Sequence, residues 1–115
     1  MGLKGINMRN LLEETIKKIE DYGHTTNEVN FVTDEEFYCN WEDFARAAKN
    51  YNYDEGYGGN EVNMNLKIVG SDWWLERHEY DGSEWWEYKS LPIAPNNYGE
   101  VWFKDEWSRR YNGDN

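Results

Sequence analysis

Cysteine is nearly missing from this chain: Cys39 is the only one in 115 residues. That excludes an internal disulfide and a cysteine-rich zinc site, and a thiol-poor chain suits a reducing cytoplasm. Long hydrophobic runs are missing too. No stretch approaches a transmembrane span, and Met1 to Gly23 lacks the continuous apolar segment of a secretory signal. Bases are scarce, with 12 Lys and Arg against 23 Asp and Glu and a net charge of −11. Nucleic acid phosphates call for a basic patch, and anionic membrane surfaces attract basic segments. The composition therefore disfavours direct binding to either. With two histidines, no tight set of three or four metal ligands is spelled out, so neither metal nor cofactor is expected.

Aromatic residues take the place of what is lacking. They make up 17% of the chain, including seven Trp and nine Tyr. Each such ring buries roughly 150–250 Å², so few of them build a core. The length fits a single domain spanning residues 1–115.

Asn7 or Asn10 opens a first helix, with Leu11, Leu12, Thr15, Ile16 and Ile19 on one stripe and Gly23 as its stop. Glu28 to Val32 alternates as a strand, Thr33-Asp34-Glu35 turns, and Glu36 to Cys39 returns; a helix starting at Thr33 is the rival reading. Asn40 caps a central helix over about Trp41 to Asn50, with Trp41, Phe44, Ala45 and Ala48 inward. The glycine-rich stretch Tyr51 to Asn60 is a loop without the features of a P-loop. Glu61 to Val69, Asp72 to Tyr80 and Trp85 to Lys89 read as an antiparallel meander. Leu91 to Pro95 is an extended connector, and Trp102, Phe103, Trp107 and Tyr111 suggest a short last helix from about Gly99. The fold class is α+β: a meander of about three to five strands packed against an N-terminal, a central and a short C-terminal helix.

The turn at Asp81-Gly82 closes in one of two ways. A two-residue loop sets Glu79 opposite Glu84 and Glu76 opposite Glu87, and like charges facing across a ladder are destabilising. A four-residue loop sets His78 opposite Glu87 and Glu76 opposite Lys89, so electrostatics favours it, although Asp-Gly by itself suggests the shorter loop. Val62, Met64, Leu66, Ile68, Trp73, Leu75, Trp86 and Tyr88 then form the core face, with Arg77 and Glu79 paired at its rim. Asn63, Lys67, Trp74, Glu76, His78, Tyr80, Trp85, Glu87 and Lys89 share the other side, which mixes aromatics with charges. Either the Leu91 to Tyr111 segment covers those rings or they await a partner.

Chemistry has weaker support than binding. Glu79 with Glu84, or Glu76 with Glu87, can be drawn as an acid–base pair for glycosides, but chance carboxylate pairs are expected with 23 acids. His78 reads as a salt-bridge partner, Cys39 as a small buried hydrophobe, and Ser83 as a turn residue outside any nucleophile elbow.

The runs Asn40 to Phe44, Tyr53 to Gly59 and Trp73 to Trp86, roughly the middle half of the chain, resemble small acidic proteins carried by phages and mobile elements of Gram-positive bacteria. No activity comes with the resemblance, so it assigns no residue a role. It implies a setting in which small acidic proteins often counter host defences, as anti-CRISPR and anti-restriction proteins do. The expected function is that of a non-enzymatic, cytoplasmic protein-binding protein that mimics nucleic acid. Its partner is a basic host protein that handles nucleic acid or acts in defence. Asp54, Tyr57, Trp74, Glu76, His78, Glu79, Tyr80, Asp81, Glu84, Trp85 and Glu87 are the candidate contact residues. A small carboxylate enzyme or sugar-binding module, and a homodimer that buries the Trp74 face, are the alternatives.

Overall fold

The computed structural model describes residues 8–54 and 61–103. Its elements, in chain order, are β1 (Met8–Asn10), α1 (Leu11–Asp21), a 3-10 turn (Thr26–Glu28), β2 (Phe31–Thr33), β3 (Tyr38–Cys39), α2 (Trp41–Ala48), β4 (Asn52–Asp54), β5 (Lys67–Val69), β6 (Trp73–Tyr80) and β7 (Ser83–Ser90). The fold is α+β. An antiparallel five-stranded sheet runs in the order β3-β2-β5-β6-β7, and β1 pairs with β4 in a second, two-stranded sheet.

Both helices begin at an asparagine. The Asn10 side chain accepts from the Glu13 amide at 3.0 Å, and Asn40 accepts from the Asp43 amide at 2.7 Å, each satisfying a donor that the first helical turn leaves without a partner. Helix α1 ends at Gly23, whose φ of 83° suits glycine. Leu11, Thr15 and Ile19 from α1 and Phe44 and Ala48 from α2 are buried. The apolar ones pack with Val32, Ile68, Trp73, Leu75 and Trp86 of the large sheet and with Tyr53 and Val62 in one cluster.

Residues 31–39 form a hairpin rather than a helix. Its turn is built by side chains: Asp34 Oδ1 accepts from the Glu36 and Phe37 amides at 3.0 and 2.8 Å, and Thr33 Oγ1 accepts from Glu35 and donates to the Phe37 carbonyl. Those two amides hold the Asp34 carboxylate below its ordinary pKa.

The strand expected over Glu61 to Val69 is shorter, beginning only at Lys67. Asn63 is the reason. Its side chain accepts from the Asn65 amide at 2.8 Å and its carbonyl from the Leu66 amide at 3.1 Å, closing a local turn that competes with the ladder. The connector does not turn helical at Gly99: residues 99–101 carry no regular element and Trp102 makes an isolated bridge. The rest of the expected last helix lies outside the described residues.

The β6–β7 register departs from the expectation. Asp81 and Gly82 have φ of 54° and 87°, the signature of a type I′ two-residue turn. Tyr80 pairs with Ser83, Glu79 with Glu84 and Glu76 with Glu87. Both sides of the sheet keep their membership, because the shift from the four-residue loop is an even number of residues.

Gly70 closes the preceding turn, donating to the Trp73 carbonyl at 2.8 Å. A Cβ there would lie 2.2 Å from Trp73 Cε2, and Trp73 is 1% exposed. Gly70→Ala is therefore expected to cost about 2–3 kcal/mol by overpacking, read as a lower urea midpoint with an unchanged slope.

Candidate functional site: the open face of the sheet

The ladder pairings sort the sheet into rows. Val32, Ile68, Leu75 and Tyr88 face each other across four strands on the helix side. One residue along, Phe31, Val69, Trp74 and Lys89 make a row on the opposite face, and Tyr38, Thr33, Lys67, Glu76 and Glu87 make the next. His78 opposite Trp85, and Tyr80 opposite Ser83, extend that face to the hairpin end. The five strands thus present one continuous surface away from the helices.

Its polar groups are arranged before any ligand arrives. Glu76 is bracketed along its own strand: Trp74 Nε1 donates to one carboxylate oxygen at 2.8 Å, and His78 Nε2 meets the other at 2.8 Å. Trp85 Nε1 donates to Glu87 at 2.9 Å. The His78 contact, then the Trp74 indole, hold Glu76 below the ordinary carboxylate pKa. It therefore presents negative charge at neutral pH. The same bonds explain how the sheet tolerates Glu76 opposite Glu87. Each carboxylate is directed along its strand into a donor, so the pair does not face bare charge across the ladder.

Trp74 and Trp85 are half-buried, while Tyr80 and Tyr38 are 76% and 78% exposed. Residues 91–101 are exposed throughout, while Trp102 is half-buried; Tyr98 is fully exposed.

Of the expected contact residues, Trp74, Glu76, His78, Tyr80, Trp85 and Glu87 come together here. Asp81 is exposed at the adjoining turn, and Glu79 is exposed at the strand end, in the row belonging to the helix side. Asp54 sits in β4, opposite Met8 in the smaller sheet. Tyr57 lies outside the described residues. Glu84 needs correction: it is 2% exposed and faces the core. Its carboxylate accepts from the Glu61 and Val62 amides at 2.6 and 3.1 Å and binds Arg77 at 3.0 Å. The shorter loop is the cause, since it moves Glu84 from the turn into the ladder.

Arg77 is likewise no rim residue paired with Glu79. Its side chain is fully buried, 3.2 Å from Glu14 and 3.0 Å from Glu84, and it donates to the Tyr53 hydroxyl at 3.2 Å. The Trp86 ring lies 4.8 Å from its guanidinium. Arg9 approaches Glu14 at 3.6 Å, so two cations alternate with two carboxylates. Burial works against the Arg77 charge, but Tyr53 and the carboxylates outweigh it and its pKa ends above the ordinary value. Burial and the Glu14 contact push the Tyr53 phenol up. The whole group ties α1, β4, β6 and β7 together beneath the open face.

A third cluster resembles a relay in its connectivity. Glu28 meets His24 Nδ1 at 2.6 Å, and His24 Nε2 meets the Tyr88 hydroxyl at 2.9 Å. The His24 ring stacks on Trp73 with centroids 4.4 Å apart, and Tyr22 stacks on Tyr88 at 4.2 Å. Burial, with Asp72 and Glu28 nearby, raises the Tyr88 pKa, the reverse of what an activated phenolate needs. The cluster fastens the end of α1 to the sheet. Among the described residues no three His, Cys, Asp or Glu side chains converge as a metal site would require.

Phe31 and Tyr38 belong to the open face but were not among the expected contacts. Their signal is weak: Phe31 and Thr33 flank a buried Val32 with a strand's period of two, and only the pairing of β2 with β5 aligns them with Trp74. The chain is thus an α+β protein whose sheet carries helices on one side and, on the other, an aromatic surface on which Glu76 and Glu87 lie beside Lys67 and Lys89. Compared with family models, with curated proteins and with solved structures, it finds no match. No helix among the described residues is long and apolar enough to cross a membrane.

Proposed function

We propose that this chain is a protein-binding protein that docks a basic partner on the open face of its sheet. The reading extends to the class of partner: a host nucleic-acid-handling or defence protein, inhibited by a small acidic protein of phage or mobile-element origin whose carboxylates stand where phosphates would. The observation that carries the docking reading is the preset surface itself. Trp74 and Trp85 hold the side chains of Glu76 and Glu87 in fixed positions, with Tyr80, Phe31 and Tyr38 around them. Charges already ordered lose less freedom on binding, and aromatics ringed by polar groups are typical interface anchors. The net charge of −11 adds long-range attraction to a basic surface.

Affinity capture from a Gram-positive host lysate, followed by purified-partner titration, tests this. The wild-type chain is expected to retain a basic protein whose binding weakens as salt rises. Trp74→Ala with Trp85→Ala is expected to weaken that partner by about tenfold or more, two anchors being removed at once. Equal retention by both chains, or binding indifferent to salt, would overturn the proposal.

A further inference from the structure

The β2–β3 hairpin ends the sheet on the side away from β7, and among the described residues no strand lies beyond β3. Bonded and non-bonded pairs alternate along an antiparallel ladder. The Asp34 amide donates to the Phe37 carbonyl at 3.2 Å, so the next pair, Thr33 with Tyr38, is the non-bonded one. Tyr38 accordingly directs its N–H and C=O outward, to the open edge. An edge of this kind is a template for another strand.

Each side of that edge has a hollow. On the helix side a groove of about 250 Å³ lies between the hairpin and α2, lined by Val32, Phe37, Cys39, Phe44, Ala47 and Leu66, with Asp34 and Asp43 on its walls. On the open-face side a second hollow of about 360 Å³ is bounded by Phe31 and Tyr38 together with Glu35 and Glu36. Phe37 is 71% exposed, although a ring of that size at a turn tip has no need to be there for the fold. Glu35 is already bound to Lys67 at 3.0 Å and Asp43 to Arg46 at 3.0 Å. Glu36 and Glu42 have no basic partner among the described residues, which leaves the edge negative.

We infer that the β3 edge receives an extended segment of the partner protein, added as a sixth strand, in which apolar and basic residues alternate. The residue facing Tyr38 exchanges two main-chain hydrogen bonds with it. Its side chain falls on the open-face side, and a Lys or Arg there meets Glu36. Its two neighbours point the other way, because side chains alternate along a strand, and an apolar one enters the groove against Ala47 and Phe44. Strand addition takes its affinity from the main chain and its selectivity from such alternating pockets. The inference rests on the docking function proposed above and assigns the partner's chemistry at one border of the same surface.

The probe is a synthetic seven-residue peptide, acetyl-Lys-Val-Lys-Leu-Lys-Val-Lys-amide, added to the isotope-labelled full chain at about 0.15 M ionic strength, where weak long-range attraction is screened. Nuclear magnetic resonance is expected to show slowed hydrogen exchange at the Tyr38 amide and shifts at Cys39 and Ala47. A version with proline at the third and fifth positions, the inner lysines that would face Tyr38, lacks the donor that strand addition needs and is expected not to slow that exchange. Ala47→Glu places a charge in the groove from an exposed helical position and is expected to weaken the peptide about tenfold. Trp74→Ala with Trp85→Ala is expected to leave it bound. No binding up to about 1 mM, the weak end of measurable affinity, would overturn the inference. So would binding that ignores Ala47→Glu or leaves Tyr38 exchange unchanged. Failure here alongside capture that depends on Trp74 and Trp85 removes the strand-addition site and leaves the docking face standing; loss of that dependence removes the docking face itself.

Discussion

Replacing Arg77 by methionine is expected to destabilise the chain by about 3–5 kcal/mol, the usual cost of breaking a buried ion pair from one side. The guanidinium is the positive centre between Glu14 and Glu84, at 3.2 and 3.0 Å, and its side chain is wholly removed from water. Without it both carboxylates stay inside with no countercharge near Glu84, and the Tyr53 hydroxyl loses a donor. Arg77→Lys recovers only part of the loss, since a single ammonium cannot reproduce the planar fork that reaches Glu14, Tyr53 and Glu84 at once. Urea denaturation followed by tryptophan fluorescence reads the effect. A loss under about 1 kcal/mol for Arg77→Met, the scale of a surface pair, would show that the network does not hold the elements together.

Trp86→Ala is the second large effect. The side chain is 0% exposed, and truncating a buried tryptophan leaves a cavity that costs about 3–5 kcal/mol. Two further contacts go with it. The indole N–H donates to Thr15 Oγ1 at 2.9 Å, and that hydroxyl donates to the Leu11 carbonyl at 2.7 Å. The ring also stands 4.8 Å from the Arg77 guanidinium, a cation–π contact in a desolvated place. Trp86→Phe, which keeps a ring but loses the N–H, is expected to retain most of the stability. A near-neutral Trp86→Ala would mean the core lies elsewhere.

What could be read in the chain beforehand follows from how local each determinant is. The cap at Asn40, the stripe Leu11–Thr15–Ile19 and the position of a turn at Asp81-Gly82 are determined within a few residues, and they were legible; the Asn10 cap was one of two candidates, and the turn's length was misread. The sides of β6 were legible too, since alternation survives an even register shift. The register itself was not, because facing charges were weighed across the ladder while Glu76 and Glu87 are satisfied along their own strands by Trp74, His78 and Trp85. Arg77 was misplaced for a different reason: its partner Glu14 lies 63 positions away, on a helix whose packing no local pattern specifies. Asn63 shows the opposite failure, a short-range side-chain turn overriding a clean apolar alternation. Phe31 and Tyr38 were missed because the order β3-β2-β5 joins segments that are distant in sequence.

Photo-crosslinking tests the central claim most directly. A benzophenone-bearing phenylalanine analogue replaces Tyr80 on the open face in one chain, and in a second it replaces Asn27, exposed on the 3-10 turn away from that face. The account predicts that, in host lysate, position 80 captures a basic protein in a salt-sensitive manner and position 27 does not. Capture from position 27 alone, or crosslinks from position 80 to nothing but another copy of this chain, would contradict it.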